Sequence, residues 1–167
     1  ANIWTLTASD SCAGAGMQAD LAVAHRMNVD CGCVVIAITS QNSHGLQAAE
    51  ALPLSWIQQQ WRALAADGWP AVIRLGWLPA DRALLGWLME VLAQCPARVV
   101  WDPVKSATRV DQQSADFAAV HGLTLADWQR LLARVDVVTP NLAEARWLTG
   151  LADETETSVI GERLLAL

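Results

Sequence analysis

The chain has 167 residues, a length that suits a single domain with a sizeable core. Its 53% apolar and 17% charged residues are typical of a compact globular protein. A formal net charge of −6, with no Lys/Arg cluster, argues against nucleic acid and anionic membranes as partners. The longest apolar runs, such as Cys33 to Ile38, are strand-sized, which argues against a transmembrane helix.

Strand-like and helix-like segments alternate along the chain. Short apolar runs, several rich in β-branched residues, predict five strands, over 3–7, 34–38, 71–75, 99–101 and 135–138. Apolar residues at helical spacing and terminal signals predict six helices, over 17–27, from Pro53 to about 64, and over 80–93, 127–133, 141–149 and 159–167. This alternation predicts one α/β domain over residues 1–167, with a mainly parallel sheet and helices on both faces.

Two connecting stretches show no strong periodicity. Residues 39–45 are polar and predict a loop after the second strand, and residues 105–121 are the least patterned part, for which we expect mobility. The cysteines lack zinc-site spacing and indicate reduced thiols of a cytoplasmic protein. Most of the nine tryptophans are expected to anchor the core or an interface, which leaves a homodimer open.

The segment Ser9 to Asp20 joins the first strand to the first helix. Gly14 and Gly16 let the backbone turn tightly and approach a ligand, and the helix that follows points free N–H groups back at the loop. The Asp20 carboxylate can accept from an amine or hydroxyl of a bound ring. The alternatives are an ordinary tight corner and a solvated first-turn acid stabilised by the helix dipole.

Polar residues also follow three later strands, at 39–42, 102–104 and 139–145, where ligands of parallel sheets bind. Asp102 could hold water around Mg²⁺, which favours oxygen ligands, or could cap the next turn. Asn141 and Glu144 are three residues apart, so both lie on one helix face, where they could serve magnesium and a triphosphate. The same spacing is also that of a capping box.

Taken in order, SDSCAGAGMQAD, TSQN, DPV and TPNLAEA resemble the hydroxymethylpyrimidine and phosphomethylpyrimidine kinases of thiamine synthesis, a branch of the ribokinase-like superfamily. The resemblance runs from Ile3 to about Gly150. It implies a three-layer α/β/α fold and ATP- and Mg²⁺-dependent phosphorylation of 4-amino-5-hydroxymethyl-2-methylpyrimidine or its monophosphate. It also implies that Asp20 and Gln41 lie on the pyrimidine side and that Asn141 and Glu144 lie near the magnesium and phosphates.

A glutamine suits the implied ring, because one amide can accept from its amine and donate to the adjacent ring nitrogen. Gln41 is therefore a candidate substrate ligand, with a loop glutamine bonded to backbone as the alternative. Trp77 stands where the family usually has methionine and could stack on the pyrimidine or fill the pocket. Two further departures are Ala13 in place of a glycine and Lys105 in place of a methionine.

Residues 151–167 show no match to the Gly-Thr-Gly-Cys-like anion-hole loop of these kinases, so no catalytic residue is assigned. Because phosphoryl transfer depends on such donors, we expect the chain to bind pyrimidine better than it turns over ATP. The alternatives are a truncated, non-catalytic pyrimidine-binding module and a pyridoxal-type kinase. The QAD and TSQN stretches favour pyrimidine over pyridoxal.

Overall fold

The computed structural model describes residues 2–104, 123–152 and 155–167. The predicted loop over 105–121 lies outside these residues. The described elements, in chain order, are β1 (Ile3–Asp10), α1 (Gly16–Arg26), β2 (Cys31–Asn42), β3 (Gly45–Ala51), α2 (Leu54–Ala66), β4 (Val72–Leu75), α3 (Arg82–Gln94), β5 (Arg98–Trp101), α4 (Leu125–Leu132), β6 (Val137–Val138), α5 (Leu142–Thr149) and α6 (Thr157–Leu165).

The strands form one sheet in the order β3-β2-β1-β4-β5-β6. Every neighbouring pair is parallel except β2 with β3, so the predicted mainly parallel sheet is confirmed. The carboxyl ends of β1, β2, β4, β5 and β6 therefore meet at one edge, and this edge carries the candidate residues. Among the described residues, no helix is both long and apolar enough to span a bilayer.

Helices cover both faces of this sheet, as predicted. Trp4 of β1 packs edge-on against Trp61 of α2, which in turn meets Trp87 of α3, with ring centroids 5.1 and 5.6 Å apart. The next residue, Thr5, points to the opposite face and reaches Asp20 of α1. Alternation along β1 thus places an aromatic core on one side and a buried polar contact on the other.

The prediction of a loop over 39–45 was wrong. β2 continues to Asn42, and a turn over 43–44 leads into β3, which pairs antiparallel with β2. The strand was missed because β3 reads GLQAAEA, and Gln, Ala and Glu have little intrinsic strand preference. As an edge strand with one buried residue, it carries no clear alternation of apolar and polar positions.

The helix termini follow their predicted signals. Asn141 precedes α5 as its N-cap, and Gly150 ends the same helix in the left-handed conformation with φ of 70°. The helical leucines predicted on α3 form its buried face, with Leu88 fully buried.

Candidate functional site

The connection between β1 and α1 is braced by side chains of its own sequence. Asp10 is buried, with 4% of its surface exposed, and its two carboxylate oxygens accept from the backbone N–H groups of Cys12 (2.7 Å) and Ala15 (2.8 Å). Gln18 accepts from the Asp10 N–H and donates to the Ser9 hydroxyl, both at 2.7 Å. Asp10 thus supplies negative charge at the N-terminus of α1, whose N-cap, Ala15, has no side chain able to do so.

The backbone conformation requires glycine at one of the two predicted loop glycines, Gly16. Gly16 has φ of +56°, and a Cβ there would overlap the Ala8 carbonyl oxygen. Gly14 is different, because a Cβ would lie 3.8 Å from an Asp10 oxygen, an ordinary contact. Gly16 therefore sets the path of the chain, whereas Gly14 keeps the exposed side of the loop free of a side chain.

The β2–β3 hairpin is tied to this loop at Gln41. The Ser11 hydroxyl donates to the Gln41 carbonyl and accepts from the Gln41 N–H, both at 2.9 Å. The hairpin register shifts between Ser40 and Gln41, a type of irregularity that redirects side chains. The Gln41 side chain lies near enough to Asp10 to lower the pKa of its carboxyl group.

These contacts set the charge state of Asp10. Burial alone raises the pKa of a carboxyl group, but here it is outweighed by donors. The Gln41 side chain and the backbone N–H groups of Cys12, Ala15 and Gly14 hold the pKa of Asp10 below its ordinary value of 3.8. Asp10 is therefore an ionised, acceptor-only group at neutral pH.

Asp20 lies on the inner side of α1, over the sheet. Its Oδ2 accepts from the Thr5 hydroxyl and lies 3.1 Å from Nη1 of Arg74. Nη1 is thus within ion-pair distance of Asp20 but is not aligned to donate a hydrogen bond. Nη2 of the same guanidinium donates a hydrogen bond to Oδ2 of Asp102 at 2.7 Å. One cation thus joins two predicted site residues, Asp20 and Asp102.

Arg74 was not identified from the sequence, although its position offers a signal. It is the single charged residue in the strand VIRL, and such a residue inside a mostly apolar strand usually has partners. Gly76 makes room for it, because a Cβ there would overlap both the Arg74 guanidinium and the Thr7 side chain. Trp77 follows at the same edge, partly buried and outside the described aromatic pairs.

Asn141 and Glu144 form a complete capping box at the start of α5. The Asn141 side chain accepts from the Glu144 N–H at 3.0 Å, and Oε2 of Glu144 accepts from the Asn141 N–H at 2.8 Å. Glu144 is buried, with 8% of its surface exposed. The capping box that the spacing of these two residues also predicted is therefore present. It uses one carboxylate oxygen of Glu144 and leaves the other outside the cap.

The carboxylates of Asp102 and Glu144 suit a magnesium ion that keeps several water ligands better than an ion coordinated by protein side chains alone. The described residues contain no cluster of three or more metal-binding side chains. Asp102 and Glu144 each commit one oxygen to a protein donor, and both follow neighbouring strands, β5 and β6. Mg²⁺ commonly keeps several waters and uses one or two carboxylates, so two such acids at one edge fit it.

The structure therefore arranges the candidate residues in three groups along the carboxyl edge. Gln41 belongs with the loop that contains Gly14 and Gly16. Asp20 and Asp102 share Arg74, and Asn141 pairs with Glu144.

Comparison with known proteins identifies the family of the chain. The chain matches the phosphomethylpyrimidine kinase family over residues 10–167. It belongs to that family. The expected ribokinase-like α/β architecture is confirmed by the solved phosphomethylpyrimidine kinase of Clostridium difficile 630, which superposes with a TM-score of 0.82 at 27% identity over 98% of this chain and 72% of that one.

Two further relatives mark the range of similarity. The hydroxymethylpyrimidine/phosphomethylpyrimidine kinase of Streptomyces coelicolor is 34% identical over 157 residues, covering 94% of this chain and 56% of its own. The pyridoxal kinase of Staphylococcus aureus, solved with AMP-PCP, superposes with a TM-score of 0.76 at 25% identity, covering 97% of this chain and 56% of that one. The chain spans between 18% and 59% of the length of the curated relatives that it matches.

Proposed function

We propose that the chain forms the substrate-binding domain of a kinase that transfers phosphate from ATP to 4-amino-5-hydroxymethyl-2-methylpyrimidine or its monophosphate, in thiamine synthesis. The observation that carries the proposal is the meeting of the Gln41 hairpin with the 9–20 loop at the carboxyl edge, in a chain of this family. Polar groups converging at this edge are the usual form of a small-molecule site.

Gln41 and Asp20 offer matched contacts to such a ring. The Gln41 amide can accept from the 4-amino group and donate to the neighbouring ring nitrogen. Asp20 uses Oδ2 for Thr5 and Arg74, so Oδ1 can accept from the hydroxymethyl group or the amine. The Gly14 side of the loop and Trp77 would enclose the flat faces of the ring, where an indole can stack.

The nucleotide side would lie along the neighbouring strand ends. A magnesium ion held through Asp102 and Glu144 would offset the negative charge of the phosphates. Asn141 and Glu144 would sit beside those phosphates, at the start of α5. ATP as the phosphate donor is supported by the related pyridoxal kinase solved with AMP-PCP. The reaction would be in-line transfer of the terminal phosphoryl group to the substrate oxygen, releasing ADP.

Pyridoxal-type phosphorylation is the second candidate, because pyridoxal kinases share this architecture at 25% identity. A pyridine ring without an amine beside a ring nitrogen would leave part of the Gln41 amide unpaired. Leaving a buried polar group unpaired costs about 1–3 kcal/mol, so the amide favours the aminopyrimidine.

The experiment compares melting shifts of the purified chain with the hydroxymethylpyrimidine, its phosphate and pyridoxal, without ATP. ADP release is followed separately with ATP and Mg²⁺. We expect the pyrimidines to give the largest shift, ADP release to stay near background, and Gln41→Ala to weaken binding by about 1–3 kcal/mol. A largest shift with pyridoxal would favour the second candidate. No shift with any pyrimidine would refute the proposal, and robust turnover would refute the expected weakness of the phosphate side.

A further inference from the structure

We propose that Ser11 is a positioning residue for substrate binding, because its hydroxyl sets the place of Gln41 beside the 9–20 loop before any ligand is bound. The inference deepens the proposed function and rests on it, because it assumes that the Gln41 side chain contacts the pyrimidine. Ser11 acts on the ring through Gln41 and not by a contact of its own.

Ser11 stands on a well-braced piece of backbone. It is the second residue of a turn in which the Asp10 carbonyl accepts from the Ala13 N–H at 3.1 Å. The Asp10 carboxylate holds the same turn, since its oxygens accept from the N–H groups of Cys12 at 2.7 Å and Ala15 at 2.8 Å. Ser11 itself is exposed, so its hydroxyl is placed by this backbone and not by burial in the core.

The Ser11 hydroxyl extends the pairing between β1 and β2 beyond the end of β1. The last residue of β1, Asp10, is paired with Thr39, whereas β2 continues to Asn42. Gln41 therefore lies two residues past the last pair of this ladder. The hydroxyl donates to the Gln41 carbonyl and accepts from the Gln41 N–H, each at 2.9 Å, as a further strand residue would do.

This pair of hydrogen bonds fixes the direction of the Gln41 side chain. In a strand the N–H and C=O groups lie in the plane of the sheet and the side chain stands out of that plane, so fixing both groups fixes the direction of the Cα–Cβ bond. The β2–β3 register shifts between Ser40 and Gln41, an irregularity of the kind that redirects side chains. Ser11 thus holds Gln41 at the point where pairing with β3 is irregular.

The loss of the hydroxyl should affect binding more than stability. Both hydrogen bonds are exposed, so water can replace the hydroxyl in a free Ser11→Ala chain. The ligand must then order Gln41 itself, and ordering one polar side chain at a binding site weakens affinity by about three- to tenfold. Threonine keeps a hydroxyl that both donates and accepts, so Ser11→Thr should retain the affinity.

The experiment titrates 4-amino-5-hydroxymethyl-2-methylpyrimidine into wild type, Ser11→Ala, Ser11→Thr, Gln41→Ala and the double variant Ser11→Ala/Gln41→Ala, followed by calorimetry. We expect Ser11→Ala to bind about three- to tenfold more weakly and Ser11→Thr to stay within about twofold of wild type. In the Gln41→Ala background the serine change should alter affinity by less than about twofold, because no amide is left to be positioned.

Gln60→Ala is the matched control. The Gln60 side chain also bonds both backbone groups of one β2 residue, since it accepts from the Val35 N–H and donates to the Val35 carbonyl, each at 2.9 Å. Val35 lies six residues before Gln41 on the same strand. Gln60→Ala should therefore lower stability without changing the affinity for the pyrimidine.

Several outcomes would overturn the inference and leave the proposed function standing. They are an unchanged affinity of Ser11→Ala, a Ser11→Thr variant as weak as Ser11→Ala, an equal serine effect with and without Gln41, and an equally large loss in Gln60→Ala. An unchanged affinity of Gln41→Ala would remove the proposed contact of Gln41 with the ring, and the inference with it. A wild-type chain that binds no pyrimidine would overturn both.

A second measurement needs no variant. In amide hydrogen exchange of the free wild-type chain, the Gln41 N–H should already be protected, because the Ser11 hydroxyl accepts from it before a ligand is present. A Gln41 N–H that exchanges like an unbonded amide, and slows only when the pyrimidine is added, would contradict the proposed role of Ser11.

Discussion

Replacing Arg74 by methionine should destabilise the chain and weaken its binding of the pyrimidine. The substitution keeps most of the apolar stem and removes the cation that joins Asp20 and Asp102 at 3.1 and 2.7 Å. The three side chains are 22% to 33% exposed, which places the loss between that of a solvated pair, about 0–1 kcal/mol, and that of a buried pair, about 3–5 kcal/mol. We therefore expect a loss of about 2–3 kcal/mol.

Urea unfolding and differential scanning calorimetry measure this effect. For a chain of this size each kcal/mol corresponds to about 2–4 °C, so the melting temperature should fall by about 4–12 °C. Arg130→Met is the matched control, because Arg130 is 75% exposed and lies 4.0 Å from its partner Asp127. It should change the free energy of unfolding by less than about 1 kcal/mol.

A double-mutant cycle of Arg74→Met with Asp20→Asn isolates the contact between these two residues. If Arg74 holds Asp20, the two losses should fall short of additivity by more than about 0.5 kcal/mol, since contacting residues couple. Additive losses, or an Arg74→Met variant as stable as Arg130→Met, would refute the assignment of Arg74 as the residue that joins the acids.

Three further outcomes concern Gly16, two cysteines and Asp10. Gly16→Ala should destabilise the chain by more than about 1 kcal/mol in urea unfolding, whereas Gly86→Ala, in open space on α3, should be neutral or stabilising. Iodoacetamide at pH 7.5 should label the exposed Cys12 before Cys31. Burial, and to a smaller extent the neighbouring Cys33, raises the pKa of Cys31 to about 11, so little of its reactive thiolate is present at this pH. Equal labelling rates measured by peptide mass spectrometry would contradict this. The stability advantage of wild type over Asp10→Asn should be full above pH 3.8 and shrink as pH falls through the lowered pKa of Asp10; a pH-independent difference would contradict it.

The alternation of strands and helices could be predicted from sequence because its signals are local. The run VVIAI marks the central part of β2, and Pro53, Asn141 and Gly150 mark helix ends within a few residues of the chain. The order of polar motifs then predicted that they would share one sheet edge. Parallel pairing of the strands confirmed that placement.

Contacts between distant residues could not be predicted in the same way. Arg74 did not stand out, because its importance depends on partners far away in the chain, Asp20 and Asp102. The β3 strand was missed because its pairing with β2 overrides its weak intrinsic preference. The roles assigned to the individual site residues remain predictions.

A crystal structure of the chain with 4-amino-5-hydroxymethyl-2-methylpyrimidine would test the central claim most directly. We predict the ring at the carboxyl edge of β1 and β2, with its amine on Oε1 of Gln41, its ring nitrogen on Nε2 and a further polar contact to Asp20. A ring bound elsewhere, or at this edge without contact to Gln41, would contradict the account.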